Sequence, residues 1–154
     1  MRYPVRLECT HSSLDKPAED TFLLLKSSPF GSVSHSHADQ NAFAILKGGV
    51  ALAIPSGYYG PAYGMPHHDL RTRQTKANNG ILVNGAGQDD RSAGAQGKIE
   101  QFLHQKMLTY ARGDAAQAYG GKLRRFLRHV LFLWPGRFAV LDKLEAPQPA
   151  GFQR

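Results

Sequence analysis

Residues 127–141 read LRHVLFLWPGRFAVL and carry the clearest fold signal in the chain. Two arms rich in valine, leucine and phenylalanine flank Pro135-Gly136, a dipeptide that favours tight turns. Branched and aromatic side chains are typical of strands. The stretch therefore predicts a β-hairpin with arms Leu127 to Trp134 and Arg137 to Leu141.

The same pattern recurs nearer the N-terminus. Residues 21–26 (TFLLLK) form a short apolar run that predicts a strand, because a turn-prone Ser-Ser-Pro follows it. Residues 41–46 and 50–54 flank Gly48-Gly49, and glycine allows the positive φ angles of a tight turn. A second hairpin is predicted there.

The remaining elements are consistent with a β-rich domain. Residues 80–85 (GILVNG) predict a strand bounded by glycines, whereas residues 99–110 fit either a helix or a pair of strands. The surrounding strand signals favour the pair. Several strands with glycine-rich turns and no βα alternation predict an all-β fold in one domain spanning residues 1–154, either a β-sandwich or a related stack of sheets.

Composition limits the kinds of protein this chain can be. A single cysteine, Cys9, excludes an internal disulfide and a multi-cysteine zinc site. No apolar run approaches the roughly 20 residues that a membrane helix needs. The opening residues 1–6 lack the apolar stretch of a signal peptide. Either the protein is cytosolic, or an N-terminal part with an export signal belongs to it.

The net charge of +7 suggests an anionic partner, which can be nucleic acid, an acidic membrane face or an acidic polysaccharide. Basic residues cluster at Lys122-Leu123-Arg124-Arg125 and Arg128. This cluster has two interpretations, a binding surface for that partner or the solvated end of a strand.

The first group of residues that could carry chemistry is Ser32 to Asn41 (SVSHSHADQN). If the segment is extended, residues two apart point to the same side, so His35, His37 and Asp39 would share one face. Two imidazoles and a carboxylate can ligate a metal, transfer protons or bind an acidic sugar. The alternative is a polar loop before a core strand.

A second group lies in a long irregular segment, residues 58–79, and such loops are often functional. His67 and His68 are adjacent and should face different ways. With Arg73 nearby, they could form a cationic surface that binds carboxylates. The alternative is an exposed basic loop without a binding role. Tyr58 and Tyr59 could donate protons or stack on sugar rings, or pack the loop against the sheet.

Six ordered stretches of the chain resemble the heparinase II/III-like polysaccharide lyases, most closely the oligoalginate-lyase-like branch. They are SSPFGSVSHSHADQNAF (27–43), AIPSGYY (53–59), GMPHH (64–68), RQTKANNGILVNGAGQ (73–88), YARGDAAQAYGGKLRRFLRHVLF (110–132) and FAVLDKLEAP (138–147). The resemblance begins near Thr21 and covers nearly all of the chain that follows.

The resemblance implies one part of a two-part enzyme. Family members pair an N-terminal α/α-toroid with a C-terminal antiparallel β-sandwich, and the active site lies in the cleft between them. They cleave uronic-acid-containing chains by β-elimination, in which a base removes the proton α to the uronate carboxylate and an acid protonates the leaving oxygen. Groups that neutralise the carboxylate stabilise the developing charge.

The resemblance also implies roles for individual residues. His35, in the H-x-H motif, matches the active-site histidine of the β-sandwich, and His37 and His68 are weaker catalytic candidates. Arg73 is expected to bind substrate anions. The other residues expected to contact substrate are His67, Tyr58 and Tyr59.

His37 matches a position that binds zinc in some relatives, but the other two ligands are replaced. Pro55 stands where those relatives have an acidic ligand, and Asn78 stands where they have a histidine. Proline offers no side-chain ligand atom, and an asparagine amide is a poor zinc ligand. No structural zinc and no other cofactor are therefore expected.

The chain lacks helices that could build the toroid, and it ends at Arg154, where relatives continue. A domain truncated at both ends is expected, with exposed sheet edges and little or no catalytic activity in isolation. The resemblance also implies a periplasmic or cell-envelope location, although these residues contain no signal peptide.

Two other functions fit the sequence. A non-catalytic module could hold acidic polysaccharide through its basic loop; its binding would survive His35→Ala and weaken on Arg73→Ala. A nucleic-acid-binding domain fits the charge, but no helix-turn-helix, RNP or zinc-finger pattern is present. The expected partner is therefore an acidic polysaccharide or oligosaccharide, together with the toroid domain, and not nucleic acid; no membrane span is expected.

Overall fold

The computed structural model describes residues 6–57 and 62–154, apart from the side chains of residues 6 and 7. Within them the chain forms ten strands: β1 Arg6–His11, β2 Thr21–Ser27, β3 Ala42–Lys47, β4 Val50–Ala53, β5 Leu82–Val83, β6 Lys98–Gln105, β7 Leu108–Asp114, β8 Arg125–Leu133, β9 Arg137–Glu145 and β10 Phe152–Gln153. A π-helical turn, His68–Thr72, and two 3-10 turns, Thr75–Ala77 and Ala116–Tyr119, lie between strands.

The strands form two four-stranded antiparallel sheets and a small ribbon. The first sheet has the order β1-β2-β3-β4 and the second the order β6-β7-β8-β9, so each is a simple meander. β5 pairs with β10 in the ribbon. The sheets meet through a shared apolar cluster to which both contribute: Leu23, Leu25, Phe43, Ile99, Ala111 and Val130. The predicted antiparallel β-sandwich is confirmed.

Burial alternates along the central strands. In β2 every second residue is buried, and β7 and β8 show the same period of two. One face of each strand therefore packs between the sheets and the other faces outward. This alternation fixes the register, since a one-residue slip would expose the core face of the strand.

Both predicted hairpins are confirmed. Gly48 and Gly49 join β3 to β4 with φ angles of 54° and 80°, as a two-residue turn with two positive φ angles requires. The Pro135-Gly136 hairpin has longer arms than predicted and extends to Glu145.

The ambiguous stretch, residues 99–110, is the predicted strand pair, β6 with β7. The strand expected over residues 80–85 is shorter, since only Leu82 and Val83 pair with β10. No helix among the described residues is both long enough and apolar enough to cross a membrane.

The basic cluster near β8 divides into exposed and buried members. Arg124 and Arg125 are exposed, as expected at the solvated end of a strand. Arg128 is 0% exposed and forms a bidentate pair with Asp142 of β9, with both contacts at 2.7 Å. A solvated-end interpretation is therefore wrong for Arg128, because its charge is neutralised inside the domain by the neighbouring strand.

Candidate functional site

The loop between β2 and β3 carries His35 and His37, and it turns instead of running extended. Ser34 has a φ of 53°, in the left-handed region, and turns surround it. The prediction that His35, His37 and Asp39 share one face of an extended segment is therefore wrong. Asp39 is instead paired with Lys26 of β2.

The turn brings both histidines into a cluster of four rings. His35 stacks on Tyr63 with ring centroids 4.3 Å apart, and Tyr63 lies 5.1 Å from His68. His37 approaches His68 edge-on at 5.9 Å. We call His35, His37, Tyr63 and His68 the ring cluster. It unites two histidine motifs that are about thirty residues apart in the sequence.

The ring cluster grades from exposed to buried. His35 is exposed and Tyr63 is 51% exposed, whereas His37 is half-buried and His68 is 7% exposed. A ligand approaching the domain therefore meets His35 and Tyr63 first. His67 is exposed while His68 is buried, so the expectation that these neighbours face different ways is confirmed.

His68 has two alternative partners at one ring nitrogen. The Gly64 N–H donates to His68 Nδ1 at 3.3 Å when that nitrogen carries a lone pair, and Nδ1 lies 3.2 Å from Asp69 Oδ1. Asp69 Oδ1 also pairs with Arg91 Nη2 at 2.7 Å. The hydrogen bond from Arg91 holds the pKa of Asp69 below its ordinary value. The ionised Asp69 carboxylate therefore lies beside the His68 ring.

His37 is held towards its neutral form. Burial lowers the pKa of His37, and Lys26 and a protonated His68 act in the same direction. Asp39 and the Asn78 side chain oppose this by favouring the protonated ring. A neutral imidazole can accept a proton or a hydrogen bond, which a protonated one cannot.

The residues around His37 do not fit a zinc ion. The Asn78 amide donates to the carbonyls of Thr72 and Gln74, and its buried Oδ1 has no hydrogen-bond partner among the residues that the structure describes. Pro55 has no side-chain donor atom. Within residues 6–57 and 62–154, no group of three His, Cys, Asp or Glu side chains could hold a metal.

Arg73 is buried under the histidine loop and donates hydrogen bonds to its backbone. Its side chain is 0% exposed, and its Nε donates to Asp90 Oδ1 at 2.8 Å. Its Nη2 donates to the carbonyls of Ser32 and Ser36, at 3.0 and 3.3 Å. With no surface left to meet a ligand, Arg73 has this positioning role in place of the predicted contact with substrate anions.

Two buried glutamines complete the support of the loop. The Gln40 N–H donates to Gln88 Oε1 at 2.9 Å, and Gln88 Nε2 donates to the Gln40 carbonyl at 2.8 Å. Thr75 donates to the Ala38 carbonyl at 3.0 Å. These bonds satisfy buried backbone groups that an irregular loop would otherwise leave unpaired.

Some residues of the site lie outside the sequence predictions. Tyr63 and Arg91 were not predicted, and the only local signal for Tyr63 is its position four residues before the His67-His68 pair. Tyr58 and Tyr59, predicted to contact substrate, lie outside the described residues.

Asp39→Asn is expected to lower the pKa of His37 further, because Asp39 now opposes the lowering and its loss leaves the Lys26 charge unpaired. An NMR pH titration of the His37 ring protons measures this.

Folding lowers the pKa of His37 from 6.5, so the unfolded chain takes up the proton first in acid. The free energy of unfolding therefore falls as the pH drops from 6.5 towards the lower pKa of His37 in the folded chain.

Asp20→Asn is the control for this titration, since Asp20 pairs with His11 at the end of β1 and its loss should leave His37 unchanged. A His37 midpoint that rises in the Asp39→Asn variant would contradict the assignment of charges around the ring.

The chain matches the family model described as heparinase II/III-like, C-terminal, over residues 11–153. No curated protein sequence matches it.

Solved structures share the fold. A heparinase III, the BT4657 gene product with methylated lysines, has a TM-score of 0.77 over 99% of this chain and 22% of its own, at 15% identity. The heparan sulfate lyase HepC from Pedobacter heparinus also has a TM-score of 0.77, at 19% identity, over 96% of this chain and 22% of its own. The chain thus spans about a fifth of the length of these relatives.

Proposed function

Because the chain belongs to the heparinase II/III-like family, as a C-terminal domain, we propose that it is the β-sandwich part of a lyase that cleaves uronic-acid-containing chains by β-elimination. The observation that carries this proposal is the ring cluster. Three histidines and a tyrosine from two distant loops meet where His35 and Tyr63 are open to a ligand.

The proposed reaction needs three operations on a bound uronate. A base removes the proton on the carbon α to the carboxylate, and the freed electron pair forms a carbon–carbon double bond. The glycosidic carbon–oxygen bond breaks, and the leaving oxygen takes up a proton. Charge that develops on the carboxylate must be stabilised by hydrogen bonds or cations, since the α proton is only weakly acidic in water.

His35 is the residue that we assign to proton transfer or to contact with the carboxylate. It is exposed, and its ring is braced by Tyr63, which limits the orientations it can take. His37 and His68 stand behind it, and the lowered pKa of His37 favours a neutral ring there. A further wall of the site would come from the toroid domain, which the resemblance implies.

The substrate class is proposed from two sources. HepC from Pedobacter heparinus is a heparan sulfate lyase, and the motifs of this chain resemble the oligoalginate-lyase-like branch. Both point to acidic chains built with uronate, and the net charge of +7 suits a polyanion. We propose an alginate-derived or glycosaminoglycan oligosaccharide, and little turnover by this domain alone.

NMR titration of the ¹⁵N-labelled chain with uronate oligosaccharides tests this proposal. Alginate and heparan oligosaccharides are expected to shift the ring-cluster signals, and a neutral oligosaccharide of equal length is not. His35→Ala should abolish those shifts, whereas His104→Ala, an exposed histidine on β6, should leave them intact. Absorbance of unsaturated uronate should not rise with the chain alone.

Two results would overturn the proposal. Oligosaccharide binding that survives His35→Ala and leaves the ring cluster unshifted would favour the non-catalytic binding module. Robust release of unsaturated uronate by the isolated chain would contradict its dependence on a second domain.

A further inference from the structure

A groove on the side of the π-helical turn that carries Arg71 is lined by three cations. It has a volume of about 250 Å³ and lies between the segment after β4 and the two helical turns. Arg71, Lys76 and Arg154 line it, and none of the aspartates or glutamates that the structure describes does. Its other walls are Ile54, Ser56, Thr75, Ala77, Asn79 and Gly80.

These three cations differ from most others in the domain. In the part of the chain that the structure describes, none of them has a carboxylate within 4.0 Å, whereas cations such as Arg73 and Arg128 are paired with aspartates. Like charges gathered without counter-charge repel one another. A bound anion would relieve that repulsion.

Arg154 is held in place before any ligand arrives. It follows β10, which pairs with β5, and its guanidinium lies 5.2 Å from the centre of the Phe43 ring. Cation–π contact of this kind orients an arginine. Burial lowers the pKa of Arg154, and the Arg128 charge lowers it more than Asp142 raises it. Arg154 therefore sits in a net positive field.

The size of the groove indicates what part of a ligand it can hold. Small-molecule sites usually measure roughly 300–1,000 Å³, so a groove of about 250 Å³ suits one charged substituent and part of its sugar ring. Arginine forks pair with carboxylate and sulfate oxygens in bidentate geometry.

The groove is also linked to the ring cluster by a single element. His68 and Arg71 both belong to the π-helical turn; His68 is buried beside His37, and Arg71 is exposed to the groove. One turn of chain therefore sets the spacing between the two.

We propose that Arg71, Lys76 and Arg154 form an anion-binding subsite that holds a carboxylate or sulfate group of an acidic oligosaccharide, next to the ring cluster. This inference rests on the proposed function for the identity of the ligand. The subsite adds a second point of attachment, which would set the position of the oligosaccharide relative to His35.

The test uses the double variant Arg71→Gln/Lys76→Gln and measures affinity for alginate and heparin oligosaccharides by NMR titration at fixed ionic strength. Loss of two charge-assisted contacts is expected to weaken binding by about tenfold or more. The matched control is Arg124→Gln/Arg137→Gln, which removes the same charge from two exposed cations that lack a carboxylate partner among the described residues. Less than about a twofold loss is expected for it.

The ligand series identifies the bound group. Shifts at Ala77 and Gly80 with heparin alone would assign a sulfate, and equal shifts with unsulfated alginate would assign a carboxylate. Displacement of the oligosaccharide by inorganic sulfate, but not by chloride, supports a specific subsite.

An equal loss of affinity in the two double variants would overturn the subsite, because it would show that only total charge matters. Ring-cluster shifts without groove shifts would overturn the subsite and leave the proposed function standing. Absence of both sets of shifts would overturn both.

Discussion

Arg128→Met is expected to lower the free energy of unfolding by about 3–5 kcal/mol, the usual cost of removing one partner from a buried ion pair. Asp142, 12% exposed, would keep its charge without a counter-ion. The carbonyls of Asn41 and Asn79 would also lose their donor, since Arg128 Nη1 reaches both, at 2.6 and 2.7 Å. Urea unfolding followed by circular dichroism measures the change.

Arg125→Met is the matched control on the same strand. Its pair with Glu145 is exposed, with both side chains more than 40% accessible, so a loss below about 1 kcal/mol is expected. Adding Asp142→Leu to Arg128→Met should recover part of the stability, because the unpaired buried charge is removed. Equal losses at Arg125 and Arg128 would contradict the structural role of the buried pair.

Arg73→Met is the second large effect, with an expected loss of about 3 kcal/mol for a broken, largely buried pair. Asp90 would lose the guanidinium partner, and the Ser32 and Ser36 carbonyls would lose their donor. The loop that carries His35 should then loosen. Urea unfolding measures the stability, and the chemical shifts of the His35 ring report the loop.

Arg71→Met is the comparison for this prediction, because Arg71 is exposed and only two residues away. A change within about 0.5 kcal/mol is expected for such a surface position. If Arg73→Met kept full stability and an unchanged His35 environment but lost oligosaccharide binding, the positioning role would be wrong. That result would support the original prediction that Arg73 contacts the substrate directly.

Both large effects concern arginines whose burial the sequence does not signal. Arginine is among the residues least often buried without a partner. Each of these two is neutralised by an aspartate at least fourteen positions further along the chain, Asp90 for Arg73 and Asp142 for Arg128. The pairing appears only after the loop and the hairpin have folded.

In the histidine site, too, the sequence identifies the residues but not their contacts. The motif that contains His35 and His37 was found from the chain, and so was the pair His67-His68. Their meeting was not predicted, because it depends on the turn at Ser34. The role of Tyr63 was not predicted either, although its ring contacts both His35 and His68.

The strands could be predicted because their determinant is local. The apolar run of β2, the branched and aromatic arms of β8 and β9, and the turns at Gly48-Gly49 and Pro135-Gly136 can each be recognised in a short window of the chain. Local steric and hydrophobic preferences are enough to specify such elements and the antiparallel meanders that connect them.

The geometry of the site has a different origin. A loop without repeating backbone bonds takes its shape from long-range partners, here the Arg73 guanidinium and the Gln40–Gln88 pair. Those partners act only when the sandwich brings residues 28–41 and 73–90 together. The histidines could therefore be identified in the chain, but their order from solvent to core required the fold.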